Sequence, residues 1–362
     1  MINANPVSAG EALRVLTAGW AAQQASGLRL SWMLHGKPGV GKTDVVRQLA
    51  ENAGARLFDL RLTTIEPQDL RGLPYYDHDQ KRTVWYRPED LPDSGPAVLF
   101  LDELTAAPPT LQPTVYGLLQ ERRVGQHRLP DDVLVVAAGN GVEDGALAYE
   151  MGTALADRLV HVSVRASAQD WLTGYAIDAA LHPAVTALIR ARPDLLETTE
   201  EALRRGQTIA CTPRSWDRVS QVMAAVPDRR LRQTMIAGTV GEAAAAEFAL
   251  VADEVENAVA VDTLLATPPA DRAALYPTTL NALTGLIYGL VSKADANHMP
   301  DVIACMALIQ DLRDPAQRVL PLAELTGFGF ELLIAKALKL GLQESFANSP
   351  DYRRYAQSRA AE

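Results

Sequence analysis

Apolar positions in the first half of the chain come in short runs, several of them almost unbroken. They fall at residues 30–34 (LSWML), 57–62 (LFDLRL), 97–101 (AVLFL), 133–138 (VLVVAA) and 159–164 (LVHVSV). A run that is apolar at odd and even positions alike predicts a strand buried on both faces, as in a parallel sheet covered by helices. Between the runs the spacing changes. Val45, Val46, Leu49, Ala50 and Ala53 recur at helical intervals after the first run. Strands alternating with helices predict an α/β layer fold with right-handed crossovers.

Near residue 165 the pattern turns helical and stays so. Residues 168–181, 214–226 and 230–253 each read as a helix. A proline-containing break follows at 267–279, and the helical period resumes at 302–312 and 331–342. The polar tail at 349–362 is expected to fray. No internal repeat or low-complexity tract interrupts the chain. Three parts are expected: an α/β domain over 1–165, a helical domain over 166–265 and a helical C-terminal extension over 266–362.

Composition narrows the classes. The 362 residues are 48% hydrophobic and 22% charged, as in soluble globular chains. A formal net charge of -10 argues against general binding to nucleic acid or to an anionic membrane. No apolar run reaches the roughly 18 residues of a membrane span, and the first residues lack the basic start and long apolar segment of a secretory leader. The two cysteines, Cys211 and Cys305, are far apart. They predict neither a disulfide framework nor a thiolate zinc site, and they point to a reducing cytoplasm.

Candidate chemistry begins where the first apolar run ends. Residues 36–43 read GKPGVGKT, so Gly36, Gly41, Lys42 and Thr43 satisfy the spacing GxxxxGK[ST]. Glycines let successive backbone N–H groups turn toward phosphate oxygens, and the positive end of the helix that follows favours the same anion. Lys37, Pro38, Gly39 and Val40 complete the loop, and Asp44 follows it. Lys42 is expected to reach the β- and γ-phosphates and Thr43 to place its hydroxyl on Mg²⁺. A second motif, VLFLDE at 98–103, delivers Asp102 to a strand end where it can hold Mg²⁺. Glu103, next to it, can act as general base on the attacking water. A third run, 133–140, ends at Asn140, whose amide can bond the γ-phosphate and that water together. The Asp-Glu pair and the lack of an NKxD guanine-reading sequence separate the chain from GTPases. ATP and Mg²⁺ are the expected cofactors.

The order of these motifs, followed by LADR at 155–158 and TPRS at 212–215, resembles the AAA+ ATPases. Within them, residues 102–124 (DELTAAPPTLQPTVYGLLQERRV), EPQDLRGLP at 66–74 and AQDWLTGYA at 168–176 resemble the MoxR branch. The resemblance implies a P-loop AAA+ parallel-sheet nucleotide domain, then an all-helical lid, then the helical extension. It implies an inserted hairpin around 121–132 with Gly125 as its turn. It implies that Arg158 reaches a neighbouring subunit's nucleotide and that Arg214 senses nucleotide within its own subunit. Thr212 as helix cap and Pro213 at the first helical position suit Arg214 to a first turn. A homo-oligomeric ring, a hexamer, follows from a site shared between subunits. The usual partner in that branch is a von Willebrand factor A domain protein, and the usual task is chaperone-like remodelling or metal-cofactor insertion in a protein client.

Two other readings compete. One is a nucleic-acid-stimulated, helicase-like motor, since helicase relatives carry the same hairpin; the net charge stands against it. The other is an assembly factor gated by ATP binding without hydrolysis. Trp85 and Tyr86, in the expected loop 83–92, and the basic hairpin residues Arg122, Arg123, His127 and Arg128 are candidate client contacts. Their alternatives are packing under the loop and a solvated hairpin edge.

Overall fold

The computed structural model describes residues 4–141 and 151–360. They form two compact units, one running to Ser167 and including Thr199–Gln207, the other made of Ala168–Thr198 and the chain from Thr208 onward.

The first unit is built on a six-stranded, wholly parallel sheet whose strands lie in the order Pro6–Val7, Leu159–Val164, Ser31–His35, Val133–Gly139, Ala97–Asp102 and Arg56–Arg61. Its elements, in chain order, begin with β1 (Pro6–Val7), α1 (Ala9–Ser26), β2 (Ser31–His35), α2 (Lys42–Asn52) and β3 (Arg56–Arg61). Next come α3 (Pro67–Arg71), the antiparallel hairpin of β4 (Pro74–Asp77) and β5 (Arg82–Trp85), and β6 (Ala97–Asp102). The series ends with α4 (Gln112–Tyr116), a second hairpin of β7 (Arg123–Val124) and β8 (His127–Arg128), β9 (Val133–Gly139), α5 (Thr153–Ala156) and β10 (Leu159–Val164). All five apolar runs are strands of the sheet. The sixth, β1, is two residues long and escaped the pattern.

Burial explains the unbroken runs. Trp32, Leu34, Val98, Phe100, Leu134 and Val136 face one core, which α1 and α2 close with Leu16, Val45, Val46 and Leu49. Met33, Leu99, Leu101, Val133, Val135 and Ala137 face the other, closed by Leu104, Leu111, Val115 and Leu118. Alternate residues serve opposite faces, and both faces are dry. β3 is the edge strand, which explains its charged positions Arg56, Asp59 and Arg61.

The hairpin expected from the resemblance is present at Arg123–Arg128. The stretch expected as the loop 83–92 is different: its first three residues belong to β5, paired with β4. Trp85 is half-buried beneath the Arg71 guanidinium, 4.4 Å from its ring centre, whereas Tyr86 is exposed and stacks on Tyr75 at 4.9 Å. The basic stretch also changes character. Arg122 and His127 are buried. The Arg122 guanidinium donates to the Val133 carbonyl, and burial pushes its pKa down. Only Arg123 and Arg128 are exposed, so Arg122 is a structural residue and not a client contact.

The second unit is helical. It holds α6 (Ala168–Thr173), α7 (Tyr175–Asp178) and α8 (Pro183–Ala191); α9 (Thr199–Arg204) belongs to the first unit. There follow α10 (Pro213–Ala225), α11 (Arg229–Val240), α12 (Glu242–Glu256), α13 (Val261–Ala266), α14 (Leu280–Lys293), α15 (Met299–Leu308), α16 (Leu322–Leu340), α17 (Glu344–Asn348) and α18 (Pro350–Ala360). The helix expected over 230–253 is two helices, broken at Gly241, whose φ of 86° is open to glycine at little cost. Helices from both sides of residue 265 share this unit. Gly285 and Gly289 of α14 let its backbone lie against Pro183, Val255 and Val261.

The tail does not fray over 350–360. Tyr355 of α18 stacks on Phe330 with ring centres 4.3 Å apart, and Tyr352 meets Phe346 edge-on at 5.0 Å. Two tyrosines three residues apart lie on one helix face, an apolar stripe that the polar composition of the tail conceals.

Candidate nucleotide site

The loop 36–43 joins the end of β2 to the start of α2. Gly36 sits at φ 154°, and a Cβ there would lie 2.3 Å from the Val164 carbonyl oxygen. Any side chain would push the loop off the sheet edge. Gly41, at φ 100°, precedes the first residue of α2, where the helix's unpaired N–H groups point outward. Lys42 is buried. Its ammonium donates to the Gly36 carbonyl at 2.5 Å, the Lys37 carbonyl at 3.0 Å and the Asn140 side-chain oxygen at 2.8 Å. Two motifs 98 positions apart are thus joined by one hydrogen bond. Thr43 is partly buried in the first turn of α2, and Asp44, exposed beside it, pairs with Arg47 at 2.9 Å.

Asp102 ends β6, and its carboxylate accepts the Glu103 N–H at 2.9 Å. Burial pushes its pKa up, and the nearby charges of Asp59 and Glu103 push the same way. This is the environment of a carboxylate that a cation would satisfy. Glu103 adopts a left-handed conformation, φ 61° and ψ 34°, which costs a non-glycine residue on the order of 1–3 kcal/mol and is found where a site over-determines it. Its carboxylate accepts from the Thr63 hydroxyl and lies 3.8 Å from the Arg61 side chain.

Asn140 follows the last residue of β9. Thr105 clamps its backbone on both sides: the hydroxyl donates to the Asn140 carbonyl at 3.0 Å and accepts the Asn140 N–H at 3.1 Å. The clamp needs the glycine before it, since a Cβ on Gly139 would lie 2.5 Å from that hydroxyl. Thr105→Val removes both hydrogen bonds at nearly constant volume. We expect kcat to fall about tenfold, from roughly 1–1.5 kcal/mol of lost positioning, with little change in melting temperature by thermal scanning. A variant with wild-type turnover would show that Asn140 holds its place unaided.

Parallel pairing aligns all these groups. Arg61 pairs with Asp102, and His35 with Gly139, so Gly36, Asp102, Glu103 and Asn140 all lie at the carboxyl edge of the sheet, where α/β folds bind ligands. Arg158 does not. It is exposed and immediately precedes β10, whose first residue, Leu159, pairs with Ser31 at the opposite end of β2. At about 3.3 Å per residue, Arg158 stands roughly 20 Å along the strands from Gly36. Arg214 lies in the other unit, exposed on the first turn of α10. The Thr212 hydroxyl caps that helix by accepting the Ser215 N–H at 3.1 Å, and Pro213 takes its first position.

Residues 31–161 match the family described as ATPase family associated with various cellular activities (AAA). The match covers about a third of the chain. The matched span runs from the first residue of β2 to His161 and so holds the loop, both carboxylates, Asn140 and Arg158. ATPase family gene 2 protein homolog B of Mus musculus is 35% identical over 103 residues, 28% of this chain and 12% of that protein. The Homo sapiens protein of the same name is 40% identical over 77 residues, 21% of this chain and 10% of that one. The chain thus spans only about a tenth of the length of these relatives. Among solved structures, NtrX from Brucella abortus in complex with ADP aligns over 94% of this chain and 70% of its own, at 17% identity and a TM-score of 0.39.

Thr63, Thr105, His35 and His161 were not singled out by sequence motifs. Each touches the site through a neighbouring strand or loop, and no local spacing signals that. A polar residue just past a strand end, such as Thr63, is the only trace.

Proposed function

We propose that the ATPase domain hydrolyses ATP with Mg²⁺ at a site completed by a neighbouring copy, and that the cycle remodels a protein client. The observation that carries this is the meeting of Lys42 with Asn140 at 2.8 Å, at the same sheet edge as Asp102 and Glu103. A phosphate-gripping ammonium, a water-positioning amide and a carboxylate pair converge at one sheet edge.

The backbone N–H groups of residues 37–43 and the Lys42 ammonium bind the β- and γ-phosphates. Mg²⁺ on Thr43 and Asp102 would supply charge neutralisation across those phosphates. Glu103 takes the proton of the attacking water, which Asn140 orients toward phosphorus. Arg158 neutralises charge on the phosphate of the adjacent copy, and its distance from its own loop supports that assignment. Arg214 reports nucleotide from the helical unit, which acts as the lid. The MoxR resemblance supports a hexameric ring, a cytoplasmic setting, a von Willebrand factor A domain partner and a task in client maturation such as metal-cofactor insertion. Among the described residues, no helix is long and apolar enough to cross a membrane.

Phosphate release by the purified protein tests the reading. We expect Mg²⁺-dependent turnover that stops on chelation with EDTA and changes less than twofold on adding single- or double-stranded DNA. Strong, salt-sensitive stimulation by DNA would instead support the helicase-like motor.

A further inference from the structure

Two histidines join the phosphate loop to the segment that carries Arg158. His35 is the last residue of β2, directly before Gly36, and His161 lies on the adjacent strand β10. In the pairing register His161 lies beside Met33 and Ser163 beside His35, so both histidines project from one face of the sheet. Nε2 of His35 and Nδ1 of His161 are 2.7 Å apart, with the rings stacked at 5.0 Å and 18°. The other nitrogen of His161, Nε2, lies 2.9 Å from the Ala156 carbonyl oxygen.

A carbonyl only accepts, so Nε2 of His161 carries a proton. Burial, reinforced by His161 and Lys42, holds the His35 pKa down to about 4, so the His35 ring is neutral at neutral pH and a single proton bridges its Nε2 and Nδ1 of His161. The acceptor has a structural meaning as well. Ala156 ends α5, and the last carbonyls of a helix have no partner within it. The turn beyond is short: Asp157 N–H bonds the Thr153 carbonyl at 3.0 Å and Arg158 N–H the Leu155 carbonyl at 3.1 Å. From Gly36 to Arg158, the path through His35, His161 and Ala156 has only two non-covalent links.

We propose that the His35–His161 pair is a positioning strut that sets the placement of Arg158 from the state of this chain's own phosphate loop. It rests on the reading of Arg158 as acting on a neighbouring copy. The switching element is Lys42, which here holds the Gly36 and Lys37 carbonyls. Phosphate oxygens compete for that ammonium, and releasing the Gly36 carbonyl shifts the residue next to His35. A copy with nucleotide bound then presents its arginine differently from an empty one.

The test uses His161, which belongs neither to the loop nor to the arginine turn. His161→Phe keeps a ring and removes both hydrogen bonds. We expect kcat to fall at least tenfold with ATP affinity unchanged, and mixing with Glu103→Gln protein to restore turnover as it does for Arg158→Ala. The defect then lies in the arginine supplied to another copy, which a merely damaged fold would not show. If Arg158→Ala is rescued by the mixture and His161→Phe is not, or if His161→Phe turns over at the wild-type rate, the strut is overturned. If Arg158→Ala itself is not rescued, it is the reading of Arg158 that fails. A second pair of variants holds even where the phenylalanine protein does not fold. Glutamine places an amide N–H where Nε2 of His161 donates, and asparagine reaches only the position of Nδ1. Each variant keeps one of the two links and breaks the other, so both should lower turnover as His161→Phe does, and wild-type turnover in either overturns the strut.

Discussion

Arg158→Ala is expected to lower ATP turnover about 10³-fold or more, the range an arginine finger supplies, while ATP affinity hardly changes. The geometry sets both halves of that result. Arg158 precedes the first residue of β10, in register with the start of β2, and the phosphate loop follows the end of β2. Roughly 20 Å of strand separates them, well beyond an arginine side chain, so removing it leaves the chain's own phosphate contacts intact. In the proposed role the guanidinium acts on charge that grows on the γ-phosphate in the transition state, so its loss should appear in kcat and not in binding. Mixing this protein with Glu103→Gln protein should recover part of the turnover. Each interface between an intact Arg158 on one copy and an intact Glu103 on the other is complete. Phosphate release measured across mixing ratios checks this, and a series with no recovery at any ratio would argue against action between copies.

Glu103→Gln is expected to reduce turnover by about 10²–10⁴-fold, the usual worth of a general base, with ATP still bound. Glutamine keeps the shape and can still meet Thr63, but it has no carboxylate to accept the proton of water. Asp102, Lys42 and Thr43 are untouched, so a fluorescent ATP analogue should titrate with near wild-type affinity. The strained left-handed backbone at Glu103 belongs to residue and site together, so the melting temperature should move little. A variant that no longer hydrolyses ATP yet still matures its client would favour the assembly factor gated by binding alone.

Much of the fold was legible because it rests on local rules. Strands buried on both faces must be apolar throughout, and that placed β2, β6 and β9, whereas β3 and β10 showed only broken apolar runs. β4 and β5 were missed for the converse reason. Tyr75, Tyr76, Arg82 and Thr83 are exposed and carry no burial pattern. The α18 tail was misread because its apolar stripe is only two tyrosines wide. Gly241 breaks a helix whose apolar spacing continues past it, and apolar spacing does not register a backbone turn.

Local patterns along the chain already specify the chemistry on offer: a glycine loop that can cradle phosphate, a carboxylate pair and a terminal amide, each at the end of an apolar run. Those signals are local, because each depends on one strand and the residues just past it. Which of those groups meet depends on how the strands assemble. Parallel pairing brings Lys42 to Asn140, Thr105 to the Asn140 backbone, Thr63 to Glu103 and His35 to His161, and it leaves Arg158 at the far edge of the same sheet. Strand order and register set these distances, and they arise from packing between segments remote in the chain, which no spacing along it records.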